Sequence, residues 1–140
     1  MKKSALMGVV SVCLVLLFGM TAYSSDKGAS PGHNAHIGKK IHESMLQGYH
    51  LAYHLLDLPG RQEQHLMTYI ADGSGQTLTR GQLGYLVVGP DGANQKVMAM
   101  AMKDAFGGDV NFTDKGRYII KIKAAFDDKK LLDEFSFEVK

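Results

Sequence analysis

The sequence holds one cysteine, Cys13, no tryptophan and only three prolines in 140 residues. Cys13 stands in the middle of an apolar run, Ala5 to Met20, which follows the positive start Met1-Lys2-Lys3. That run is shorter than the ~20 residues a membrane-spanning helix needs, and small residues follow it at Ala22-Tyr23-Ser24. Residues 1–24 therefore read as a secretory signal cleaved after Ser24, and the localisation expected is periplasmic or extracellular. The exported chain then carries no cysteine. Disulfides, thiolate zinc sites, thiol nucleophiles and covalent haem attachment are excluded together.

Charge of one sign is also missing. Lys2 and Lys3 leave with the signal, so the remaining basic residues balance the 14 acidic ones. Without a basic stripe to neutralise phosphates, nucleic acid is not an expected partner. Apolar side chains are scarce from 25 to 40, where Gly, Ser and Pro recur. That stretch buries too little surface to offset its ordering entropy and reads as a flexible leader containing His33 and His36. Residues 41–140 are the right length for one domain.

No helical periodicity stands out in that domain. Short alternating segments separated by turn signals do: 49–55, 65–71, 82–89, 96–103, 109–112, 116–126 and 131–139. Phe106-Gly107-Gly108 is expected to break the chain between two of them. Tyr118, Ile120, Ile122, Ala124 and Phe126 share one face of the clearest segment, and Leu131, Phe135, Phe137 and Val139 share one face of the last. Asp114-x-Gly116-x-Tyr118 has the form of a tyrosine corner, in which the phenol bonds back to the preceding loop. The fold predicted is all-β, an immunoglobulin-like antiparallel β-sandwich of about seven strands.

Against this background stands Met98-Ala99-Met100-Ala101-Met102. Side chains alternate along a strand, so the three thioethers share a face. They are either core filling or an exposed soft surface. If they point inward, Val97, Ala99 and Ala101 make a second apolar face, and one of the two faces must be covered by a partner subunit, the segment 41–56 or a metal, or be exposed for use. His65-Leu66-Met67 repeats the spacing with an imidazole and a thioether. Together His65, Met67, Met98, Met100 and Met102 form a donor set suited to Cu(I) rather than to zinc or magnesium. On a strand, His50 and His54 share a face but stand about 13 Å apart, too far for one ion. Asp57, Asp72, Asp91 and Asp114 all fall at turns, where side-chain bonds to the backbone explain them. No nucleophile elbow, phosphate loop or carboxylate cluster is present, so no enzyme activity is expected.

The stretch from His65 to Lys140 resembles the YtkA-like family of small exported β-sandwich domains. The resemblance is carried by Asp72-Gly73-Ser74-Gly75-Gln76, Val87-Val88-Gly89-Pro90-Asp91-Gly92, Asp114 to Ile120 and Phe135 to Val139. It implies a non-enzymatic domain and an association with copper handling or with membrane transport machinery. Two functions therefore stand open. One is an exported binding module that holds or transfers a soft metal such as Cu(I). The other is a metal-free structural or interaction domain of a periplasmic or membrane-associated complex, with the Met98–Met102 strand meeting a membrane-associated or self partner.

Overall fold

The computed structural model describes residues 36–140; the signal expected at 1–24 and most of the leader, including His33, lie outside the described residues. Eight strands follow in order: β1 Lys39–Leu46, β2 Tyr49–Asp57, β3 Glu63–Ala71, β4 Gln82–Val88, β5 Asn94–Ala101, β6 Phe106–Asn111, β7 Gly116–Phe126 and β8 Lys129–Val139. All pairings are antiparallel, in the spatial order β1-β2-β3-β6-β5-β4-β7-β8. The all-β expectation is met, with eight strands rather than about seven. The first begins at Lys39, inside the stretch read as leader.

Alternation explains the core. Tyr118, Ile120, Ile122, Ala124 and Phe126 are buried, as are Leu131 and Phe135, while Arg117, Lys121 and Lys123 face out. The tyrosine corner is present: the Asp114 N–H donates to the buried Tyr118 hydroxyl at 3.1 Å. Tyr118→Phe strands that donor, and a loss of about 1–3 kcal/mol is expected in urea unfolding.

The sheet has two seams. At one, β5 and β6 are held by only the pairs Met100↔Gly107 and Ala101↔Phe106. At the other, β1 and β8 meet through side chains. His42 stacks on Phe135 at 4.3 Å between ring centroids, and Asp133 Oδ2 accepts from the hydroxyls of Ser44 and Tyr53. The result is nearly a barrel. Tyr85 of β4 ties the two halves across the core: its hydroxyl lies 2.8 Å from Thr68 Oγ1 and within reach of the carbonyls of Leu66 and Phe106. This bolts β3 and β6 together from the inside, directly behind the outward-facing His65 and Met67.

Burial pushes the phenols of Tyr53 and Tyr85 well above their ordinary value of about 10, and for Tyr53 the adjacent Asp133 carboxylate adds to the shift. Each folded phenol therefore keeps its proton where the unfolded chain loses it. Stability is fully present below pH ~10 and falls as pH rises beyond, by up to about 1.4 kcal/mol per pH unit for each group. Thermal melts between pH 8 and 11.5 should show this decline, flattened in the Tyr53→Phe and Tyr85→Phe variants.

One expectation is corrected. Phe106-Gly107-Gly108 does not break the chain; it opens β6. Glycine inside a strand marks a place where something approaches the backbone closely. A Cβ on Gly108 would stand 2.6 Å from Val97 Cγ1 on the core side, and one on Gly107 would collide with His65 on the outer side.

Candidate metal centre

The outer face of β2-β3-β6-β5 gathers the donor side chains. Val97 and Ala99 of β5 pack against the core. Met98, Met100 and Met102 therefore point outward, with 67, 75 and 45 % of their surface exposed. Core filling is not their role. Register then sets which donors meet. His54 pairs with Met67, Met67 with Gly107, and Gly107 with Met100, so one row crosses four strands on one face.

His65 stands two residues before Met67 on β3 and pairs with Asp109 of β6. Its Nδ1 lies 2.6 Å from Asp109 Oδ1. A carboxylate accepts, so Nδ1 carries the hydrogen and Nε2 of the neutral ring presents a lone pair. That Nε2 is buried and has no hydrogen-bond partner. It lies over Gly107, and Met102 Sδ comes to 3.0 Å from the position a Gly107 Cβ would take. The imidazole nitrogen and the thioether therefore lie no more than about 5 Å apart, direct neighbours over the backbone that the glycine leaves bare. Met102 is positioned by the turn after β5, where its N–H donates to the Ala105 carbonyl at 2.7 Å.

An orphaned buried imidazole nitrogen is costly, roughly 1–3 kcal/mol, unless something binds it. A histidine whose other nitrogen is fixed by a carboxylate is the arrangement that orients metal-ligating imidazoles and raises their basicity. Arg61 reaches the same carboxylate, with Nη1 3.4 Å from Asp109 Oδ2. Among the described residues no three His, Cys, Asp or Glu side chains gather as a metal-holding group. The soft character of the cluster rests on its sulfurs.

The five residues expected at the site divide. His65 and Met102 come together. Met100 faces the same glycine by register. Met67 is next to it on the face but buried, and its Sδ accepts a long 3.8 Å contact from the Tyr69 hydroxyl. Met98 belongs elsewhere: its Sδ lies over Gly84 of β4, 3.4 Å from where a Cβ would be, at the edge of a groove of about 620 Å³ that Leu86 and Leu132 also line.

Three residues of this face escape the sequence reading. Asp109 is paired with His65 only by strand register, which the sequence does not show. Gly107 reads as a breaker, although a glycine pair flanked by apolar residues also signals close approach. His54 is set aside because His50 is too far to share an ion, and that reasoning holds. His50 instead approaches Glu43 at 3.7 Å, while His54 is buried among other neighbours.

No known family profile and no curated protein matches the chain. Two solved structures share its fold. A copper-bound variant of FetP from uropathogenic Escherichia coli strain F11 aligns with a TM-score of 0.57 at 15 % identity, covering 71 % of this chain and 95 % of that one. FetP of the same strain as isolated, expressed recombinantly in the periplasm of E. coli, aligns at 0.54 and 15 % identity, covering 71 % and 93 %. At that identity the likeness is one of fold.

Proposed function

We propose that this domain is a non-enzymatic, exported, periplasmic module of the YtkA-like kind that holds a soft metal, Cu(I), for storage or transfer. One observation carries the reading. The His65 Nε2 is buried and unpartnered, its ring is held through Nδ1 by Asp109, and it lies with the Met102 thioether over Gly107, in space that any side chain there would fill. His65 and Met102 would hold the ion, with Met100 at hand beside them. Imidazole and thioether are neutral donors, and such a low-charge set favours a monovalent soft ion over Zn(II) or Mg(II). The copper bound in one fold neighbour and the periplasmic expression of the other support the assignment, as does the signal-like start of the chain.

Anaerobic Cu(I) competition titration tests it. Leucine keeps the volume of methionine and removes the sulfur. Met102→Leu is expected to weaken Cu(I) binding at least tenfold, while Met98→Leu leaves it unchanged, because Met98 lies over Gly84. Cu(I) binding that is absent in the wild type, or that survives His65→Phe undiminished, would leave the metal-free interaction domain as the better reading.

A further inference from the structure

Two buried side-chain nitrogen or oxygen atoms lack a hydrogen-bond partner among the described residues, and both are histidine Nε2 atoms on the same sheet face. One is His65. The other is His54, which is 7 % exposed. Its Nδ1 lies 3.1 Å from the Gly38 carbonyl oxygen. A carbonyl can only accept, so Nδ1 is the protonated nitrogen and Nε2 of the neutral ring keeps its lone pair. Its tautomer is fixed from behind by the Gly38 carbonyl, and its Nε2 is left buried with no hydrogen-bond partner.

A sulfur stands opposite. His54 and Met67 are paired across β2 and β3, and both lean on Tyr69. The His54 ring meets the Tyr69 ring edge-on at 5.3 Å, and the Tyr69 hydroxyl contacts Met67 Sδ. Residues 36–38 cover the group: His36 stacks on Tyr69 at 3.8 Å and meets His54 edge-on at 5.2 Å, and the Ile37 N–H donates to the Tyr69 hydroxyl at 2.9 Å. Tyr69 and His65 are four residues apart on β3, about 13 Å along the strand. His54 is drawn toward Tyr69, whereas His65 leans over Gly107 of β6. The two lone pairs therefore serve different places, on either side of Met67.

We propose that His54 Nε2 and Met67 Sδ form a second soft-metal site, enclosed by residues 36–38, next to the His65/Met102 pair. The face then takes two monovalent ions in adjacent positions, one under cover and one near solvent. This inference rests on the reading of the face as a Cu(I) surface.

The test uses the wild-type exported chain with ¹⁵N-labelled histidine and Ag(I), a diamagnetic stand-in for Cu(I), with the ring nitrogens followed by long-range ¹H–¹⁵N spectra. The expected result is that the Nε2 resonances of His54 and His65 both move, in steps that complete only at two equivalents. In Met67→Leu the His54 step should vanish and the His65 step remain. If His65 responds and His54 does not, the second site is wrong and the proposed function stands. If both saturate together at one equivalent, a single shared site replaces the two. A His54 response that survives Met67→Leu removes the sulfur from the site and overturns the pair. If neither ring responds, both the second site and the Cu(I) reading fall, and a His54 response alone keeps the second site while removing His65 from the first.

Discussion

Gly107→Ala should weaken Cu(I) binding at the His65/Met102 pair at least ~100-fold while leaving the fold intact, and Gly108→Ala should do the reverse. Neighbours in β6, the two glycines face opposite sides of the sheet. A methyl on Gly107 would strike His65 Nε2 and come within 3.0 Å of Met102 Sδ. Both are the free ends of side chains on an outer face, so they swing aside at small cost, breaking the His65–Asp109 bond and parting the two donors. Loss of an outer-shell contact alone typically costs 10–100-fold in metal affinity, so displacing the ligands themselves should cost at least ~100-fold. A methyl on Gly108 instead meets Val97 Cγ1 at 2.6 Å inside the packed core, where overpacking costs about 1–3 kcal/mol. Its signature is a melting temperature lowered by roughly 4–8 °C per kcal/mol with the Cu(I) affinity unchanged. Wild-type Cu(I) affinity at His65 in Gly107→Ala would defeat the assignment of the His65/Met102 pair as a metal site.

The same glycine pair shows what could be read from the sequence. Strands with one wet face were legible, because Tyr118 to Phe126 alternates strictly, and its tyrosine corner was legible because its spacing is local. β1 was not foreseen as a strand, since its outer side chains give a weak alternation and it is ordered by what lies beside it, the Phe135 ring and the Asp133 carboxylate of β8. The methionine triplet could be placed on one strand face but not on the correct side of the sheet. That choice is made by Val97 and Ala99, which are small enough to let β5 cross between the two halves and pack inward. His65 was legible as a donor. Its meeting with Met102, and not with Met98, follows from a register between β3, β6 and β5 that no local pattern encodes.

The distribution of rigidity follows from the same topology. Met100 and Met102 lie at the β5–β6 seam, which has only two backbone pairs, His65 reaches over β6 from β3, and Tyr85 bolts β3 to β6 from within. Asp109 is 40 % exposed and shared with Arg61, so it orients His65 without being buried as an isolated charge. Under the proposed function, a site that accepts and releases an ion gains from such a lightly paired edge, because small openings there need not disturb the core.

Asp133→Ala should be the most destabilising single change at the opposite seam. Its Oδ2 accepts from Ser44 Oγ of β1 and from Tyr53 Oη of β2, the latter at 2.8 Å, and thereby joins the first two strands to β8 where the backbones do not pair. Tyr53 is fully buried, so removing its acceptor takes away the hydrogen bond that its hydroxyl makes. Hydrogen bonds to a charged group contribute about 1.5–3 kcal/mol each, which puts the expected loss at ~3 kcal/mol or more. For a domain of this size that is a fall in melting temperature of roughly 12 °C or more. Ser44→Ala should cost only about 1 kcal/mol, since the serine lies nearer solvent and its loss strands no buried group. Because the three groups share one oxygen, the losses in Asp133→Ala and Tyr53→Phe should not add, and a double-mutant cycle should return a coupling of about 1 kcal/mol or more. A melting temperature for Asp133→Ala within about 4 °C of the wild type would show that apolar packing, including His42 on Phe135, closes the barrel without the carboxylate.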